Sequence, residues 1–153
     1  MPDAPDSPAA TRPRSTSHGF GRVLVAVYGL FALSATARAV VQIATKFHVA
    51  PVAYLLSAFS GVVYIVATIA LARDTPRARQ VAGVAITVEL VGVVAVGLAS
   101  QLHPSWFPDA AVWTGFGSGY GFVPLVLPVV GLWWLRHTRA PSVGGGGPTS
   151  APS

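Results

Sequence analysis

The chain has 153 residues, of which 52% are hydrophobic and only 10% charged, with a formal net charge of +5 and no cysteine. A soluble domain carries about 25% charged residues, so a water-facing surface is excluded for most of this chain. The missing thiols exclude disulfides, thiolate metal sites and a cysteine nucleophile. The arginines flank apolar segments instead of forming one basic face with base-reading residues, which argues against nucleic acid as a partner.

Residues 1–21, "MPDAPDSPAATRPRSTSHGFG", are rich in Pro, Ser and Ala without apolar periodicity and predict a disordered tail. Residues 22–137 form the expected transmembrane domain, with four apolar stretches at about 23–45, 52–72, 81–102 and 113–135. The first is interrupted by Arg38 and Gln42, the second carries no charge, and the third contains one carboxylate, Glu89. The fourth has only "FVPLVLPVVGLWWL" as a clean apolar run. A crossing needs about 20 residues, so this element either begins near Trp113 or is broken. Pro51, Pro76, Pro104 and Pro108 punctuate the links, Pro51 at a favourable first helical turn. Residues 138–153 again read as a flexible tail. The fold class predicted is therefore all-α, a four-helix antiparallel bundle in a lipid bilayer.

Arginine placement predicts the threading. The tail and first helix start carry Arg12, Arg14 and Arg22, the second link Arg73, Arg77 and Arg79, and the C-terminal flank Arg136 and Arg139. The other two links hold only Lys46, plus Arg38 if it counts as lying near a helix end. The positive-inside rule then puts both termini in the cytoplasm, with Trp106 and Trp113 at one interface and Trp133 and Trp134 at the other. A rival parsing makes "RVLVAVYGLFALSATA" a signal peptide cleaved after Ala37. The apolar run continues through "AVVQIA" to spanning length, which favours the intact helix.

Within the spans, Ser34, Arg38 and Gln42 recur every fourth residue, with Thr45 one turn on, and make one polar stripe. A charge at membrane depth costs about 2.5–3.5 kcal/mol on insertion scales, so the stripe is expected to face other helices. Glu89 lies among Ala82, Ala85, Gly92 and Ala99 on a small-residue face and is expected to point inward. Its candidate partners are Arg38, Tyr64 and Thr68, although Arg38 and Glu89 differ in depth by ~10 Å along their helices. Arg38, Gln42, Glu89 and Tyr64 are thus the intramembrane polar candidates, either a register-fixing clasp or an ion or proton pathway. Ser57-x-x-x-Gly61 and Gly92 read as helix-packing positions. "GFGSGYGF", residues 115–122, resembles a T-V-G-Y-G selectivity filter. It lacks a pore helix before it and a full inner helix after it, so Gly115 and Gly119 are read as a close helix contact or part of a broken helix. His18, His48, His103 and His137 are scattered, and no catalytic set, metal site or cofactor motif emerges.

"ATARAVVQIATKF", "APVAYLLSAFSGVVYIVATIALA" and "GYGFVPLVLPVVGLWWL" resemble a group of small actinobacterial integral membrane proteins over residues 22–137. The group has no assigned activity. The resemblance implies a four-helix protein of the bacterial inner (plasma) membrane and carries over no catalytic or ligand residue. The function expected is a non-enzymatic accessory or scaffold component that self-associates or docks on a larger membrane protein. The alternative is a small oligomeric transporter or channel using Arg38, Glu89 and Tyr64. A membrane enzyme on a lipid or prenyl substrate ranks third.

Overall fold

The computed structural model describes residues 16–73 and 75–138. The described chain contains four α-helices and no strand: α1 (Thr16–Lys46), α2 (Pro51–Ala72), α3 (Pro76–Leu102) and α4 (Val123–His137). A 3₁₀ turn at Pro104–Trp106 and a 3₁₀ segment at Thr114–Tyr120 lie between α3 and α4. The tails predicted at 1–21 and 138–153 fall largely outside the described residues. Where they overlap, residues 16–21 belong to α1 and Thr138 caps α4.

Local chemistry fixes the helix ends. Pro51 and Pro76 open α2 and α3, where the missing N–H has no intrahelical partner to lose. The hydroxyl of Thr75 accepts from the Ala78 N–H at 3.2 Å, satisfying one orphan donor of α3. This cap is why α3 starts five residues before the predicted Val81: a bilayer limits the apolar part of a helix, while capping lets the helix continue into the polar interface. At the far end the His103 N–H closes on Ala99 O at 2.8 Å.

The expected fourth span is broken. The Thr114–Tyr120 segment and α4 meet at 97°. With 15 residues, α4 measures only ~22 Å, short of the roughly 30 Å of a hydrocarbon core. The backbone is left-handed at Gly115, Phe116 and Gly117, and again at Gly121 and Phe122. A helical contact through Gly115 and Gly119 is therefore corrected. Gly115 has φ of 57°, and a side chain at Gly119 would touch nothing within 4 Å. The glycines serve the turn: at φ 79° Gly117 lies under the Pro124 ring, where a Cβ would clash and be strained. Phe116 and Phe122, with φ of 59° and 61°, pay a steric penalty of about 1 kcal/mol or more each. Phe116 sits flat on Gly97 of α3, where any larger residue would overlap its ring.

Helices adjacent in sequence pack on one another, and the Thr114–Tyr120 segment packs on α3 and α4. The core is built from Tyr28, Phe31, Tyr64, Ile86, Val93 and Trp113, with alanines such as Ala35, Ala67 and Ala82 between them. Gly61 lies against Thr36 of α1, its would-be Cβ 3.0 Å from the hydroxyl, and so is a true α1–α2 contact of the small-residue kind. The outward faces are apolar: Leu30, Leu33, Val62, Val84, Val91 and Val126 are all more than half exposed. This inside-small, outside-apolar arrangement is that of a polytopic bundle solvated by lipid. Among the described residues, three helices are long and apolar enough to cross a membrane, and the bent pair supplies a fourth crossing if it counts as one span.

Candidate functional site

Among the described residues the polar candidates fall into two clusters, one in the bundle interior and one at the end formed by residues 46–51 and 103–122. The interior cluster centres on Glu89, which is 0% exposed. Its Oε2 accepts from the Tyr28 hydroxyl of α1 at 2.7 Å, joining residues 61 apart in sequence. Tyr64 of α2 flanks the same carboxyl and accepts from the indole N–H of Trp113 at 3.0 Å. Tyr64 also packs against Phe31 and Tyr28, with ring centroids 5.5 and 6.2 Å away. The other carboxyl oxygen, Oε1, has no partner among the described residues.

The second cluster answers the question raised by a permanent charge in the first span. Arg38 is half-buried; its Nη2 donates to Ala110 O at 2.7 Å and its Nη1 to the Tyr120 hydroxyl at 3.3 Å. Its Nε reaches Gln42 Oε1 at 3.4 Å, a long bond within the same helix. Arg38 and Gln42 of the stripe therefore face protein, with the chain between α3 and α4 rather than Glu89 as partner, while Thr45 is exposed and bonds back to Val41 O. The two charged candidates are not brought together: the polar contacts of Glu89 run to α1 and α2, those of Arg38 to the loop. Beside Arg38, the Tyr54 hydroxyl donates to Asp109 Oδ2 at 2.8 Å, and Lys46 Nζ lies 3.4 Å from the same oxygen. This ion pair is exposed and adds little by itself; with the Arg38–Ala110 and Tyr54–Asp109 bonds it forms a latch between the 103–122 loop and α1 and α2.

The other packing candidates divide. Gly92 is roofed by the Trp113 indole. Ser57 is buried, and its hydroxyl has no partner among the described residues, while its carbonyl accepts from Ser60. Sequence reasoning missed Tyr28, Tyr54, Asp109 and Tyr120. Their only signal was a hydroxyl or carboxylate near a span, which does not specify a partner. Among the described residues no group of three His, Cys, Asp or Glu side chains is placed to hold a metal.

The latch is expected to respond to acid. The Tyr54 hydrogen bond, with the charges of Lys46 and Arg38, holds the Asp109 carboxyl below the usual carboxylate value of about 3.9 against the opposing effect of burial. A carboxyl lowered by folding stabilises the fold above its unfolded pKa, and that contribution disappears as pH falls through the folded value. The detergent-solubilised protein is expected to lose melting temperature on acidification from pH 5 to pH 3, and Asp109→Asn to lose less over that range. Equal losses in both proteins would show that the latch does not titrate.

No protein-family model, curated protein or solved structure matches the chain.

Proposed function

We propose that the protein is a non-enzymatic component of a bacterial plasma membrane, an accessory or scaffold subunit that acts by helix association, with both termini in the cytoplasm. The observation that carries this reading is the way the interior polar groups are used. Tyr28 and Glu89 tie α1 to α3, Tyr64 and Trp113 tie α2 to the loop, and Arg38 ties α1 to the loop. Each tie crosses between elements and fixes their register, the role for which intramembrane polar contacts are best suited. A groove of about 470 Å³ between α1 and α2, bordered by Ala39, Val40, Ala58 and Val62, adds a small-residue surface open to neighbours. Among the described residues, Arg22, Arg73, Arg77, Arg79 and Arg136 lie at one end of the bundle and support the orientation, and the long apolar helices support a membrane location.

The second reading, a small oligomeric transporter or channel using Arg38, Glu89 and Tyr64, draws on the unpartnered Oε1 of Glu89. The two are separated by tagging the C-terminus and isolating the complex in mild detergent. The scaffold reading expects a fixed-stoichiometry complex with another membrane protein, re-formed from the purified components. A homo-oligomer that conducts ions or protons in liposomes, and loses that flux in Glu89→Gln without losing its fold, would overturn it. Reporter fusions in the 73–79 link are expected to report cytoplasm.

A further inference from the structure

At the arginine-rich end, the four helices border an open cavity of about 690 Å³. Its mouth carries the exposed Arg22 from α1 and Arg73 from the end of α2, and Arg79 from α3 also lines it, so arginines from three elements border one cavity. Arg79 is the built-in member. Its Nη2 donates to Leu135 O at 3.0 Å and Thr138 Oγ1 at 2.8 Å. Its guanidinium carbon lies 5.8 Å from the centre of the Trp134 ring, within cation–π range. A guanidinium has five N–H donors, and the Nε and Nη1 donors of Arg79 have no partner among the described residues. No carboxylate of the described residues lies within ion-pair distance of Arg22, Arg73 or Arg79; Asp74, next to Arg73, is outside them. The indole N–H of Trp134, on the cavity wall, likewise lacks an acceptor among the described residues.

The rest of the wall is largely apolar: Val25, Ala26, Leu71 and Ala82 line the same cavity. A cationic mouth over an apolar wall, at the level where an aromatic belt is expected, matches a ligand with a phosphate at one end and a hydrocarbon chain at the other. Arginine suits phosphate because its planar fork donates two parallel hydrogen bonds. The apolar wall gives a free phosphate ion nothing to bind. We propose that this cavity is a binding site for an anionic phospholipid, its phosphate held by Arg22, Arg73 and Arg79 and one acyl chain laid along α1 and α2.

The test uses the full chain purified in a neutral detergent, with melting temperature and native mass spectrometry as readouts. Phosphatidylglycerol is expected to raise the melting temperature by about 4 °C or more at saturation and to remain bound in the spectrometer. Phosphatidylcholine, inorganic phosphate and glycerol phosphate are expected to do neither. Arg22 and Arg73 are both exposed, so the double variant Arg22→Gln/Arg73→Gln is expected to fold and to bind phosphatidylglycerol roughly tenfold more weakly. Ala26→Phe, at another exposed position on the wall, is expected to block the chain site without altering the lipid-free melting temperature. Equal stabilisation by phosphatidylcholine overturns the charge recognition, and equal stabilisation by inorganic phosphate overturns the lipid. Unchanged binding in both variants overturns the site.

Discussion

Tyr28→Phe is expected to destabilise the protein by about 2–3 kcal/mol, out of proportion to the single hydroxyl removed. The hydrogen bond across α1 and α3 contributes only ~0.6–2 kcal/mol, because a polar group in a membrane finds partners in the unfolded state too. The larger part of the loss comes from Glu89. With Tyr28 gone, the donor to Oε2 disappears while Oε1 already lacks one among the described residues, and an orphaned buried acceptor costs its full desolvation. The double variant Tyr28→Phe/Glu89→Leu is therefore expected to recover part of the stability, since neither half of the pair is left behind. Glu89→Gln preserves an acceptor for Tyr28 but adds two amide donors that must find partners, and is expected to cost about 1 kcal/mol. Urea or thermal unfolding in detergent of the four proteins gives the ordering directly. If Tyr28→Phe melts like the parent, or if the double variant is no better than Tyr28→Phe, the clasp is not what holds α1 to α3.

The apolar spans were legible because a bilayer imposes a length that soluble folds do not, and the prolines at 51 and 76 mark helix starts in any solvent. The inward facing of Glu89 was legible too, since a small-residue stripe beside a charge leaves few alternatives. Its partner was not. Helical spacing says which residues share a face of one helix, but the rotation of α1 against α3 is decided by how the bundle packs, and a tyrosine in an apolar run looks the same whether or not its hydroxyl is used. Arg38 illustrates the same limit. Its depth and stripe were readable, whereas its acceptors, Ala110 O and Tyr120, depend on the path of a loop that no periodicity describes. The glycine run left two readings open, a close helix contact and a broken helix, for a local reason. Alternating glycines suit a close helix contact and a left-handed turn equally well, and the turn here also places Phe116 and Phe122 at positive φ, a conformation that their residue type disfavours. Such positions are imposed by surrounding contacts, in this case Gly97 beneath Phe116.

Gly92→Ala is expected to be among the most costly single added methyls on α3, together with Gly97→Ala. A Cβ at this position would enter the indole of Trp113, and that ring has nowhere to go. It is 1% exposed, its N–H is committed to the Tyr64 hydroxyl at 3.0 Å, and Phe59 meets it edge-on at 5.9 Å. Overpacking a filled site costs about 1–3 kcal/mol, and Gly92→Val should lie at or beyond the upper end. Gly83 is the internal control: a Cβ there meets nothing within 4 Å, so Gly83→Ala should be neutral or stabilising by up to ~1 kcal/mol through helix propensity alone. The consequence at Gly92 reaches beyond α3. Trp113 leads into the Thr114–Tyr120 segment, so displacing it shifts Tyr120 and loosens the grip of the loop on Arg38. The variant is therefore expected to show a lower melting temperature together with a red-shifted, more quenchable tryptophan emission and faster proteolysis within residues 103–122. Parental stability in Gly92→Ala would mean that Trp113 is not seated on α3, and the broken fourth span would lose its anchor.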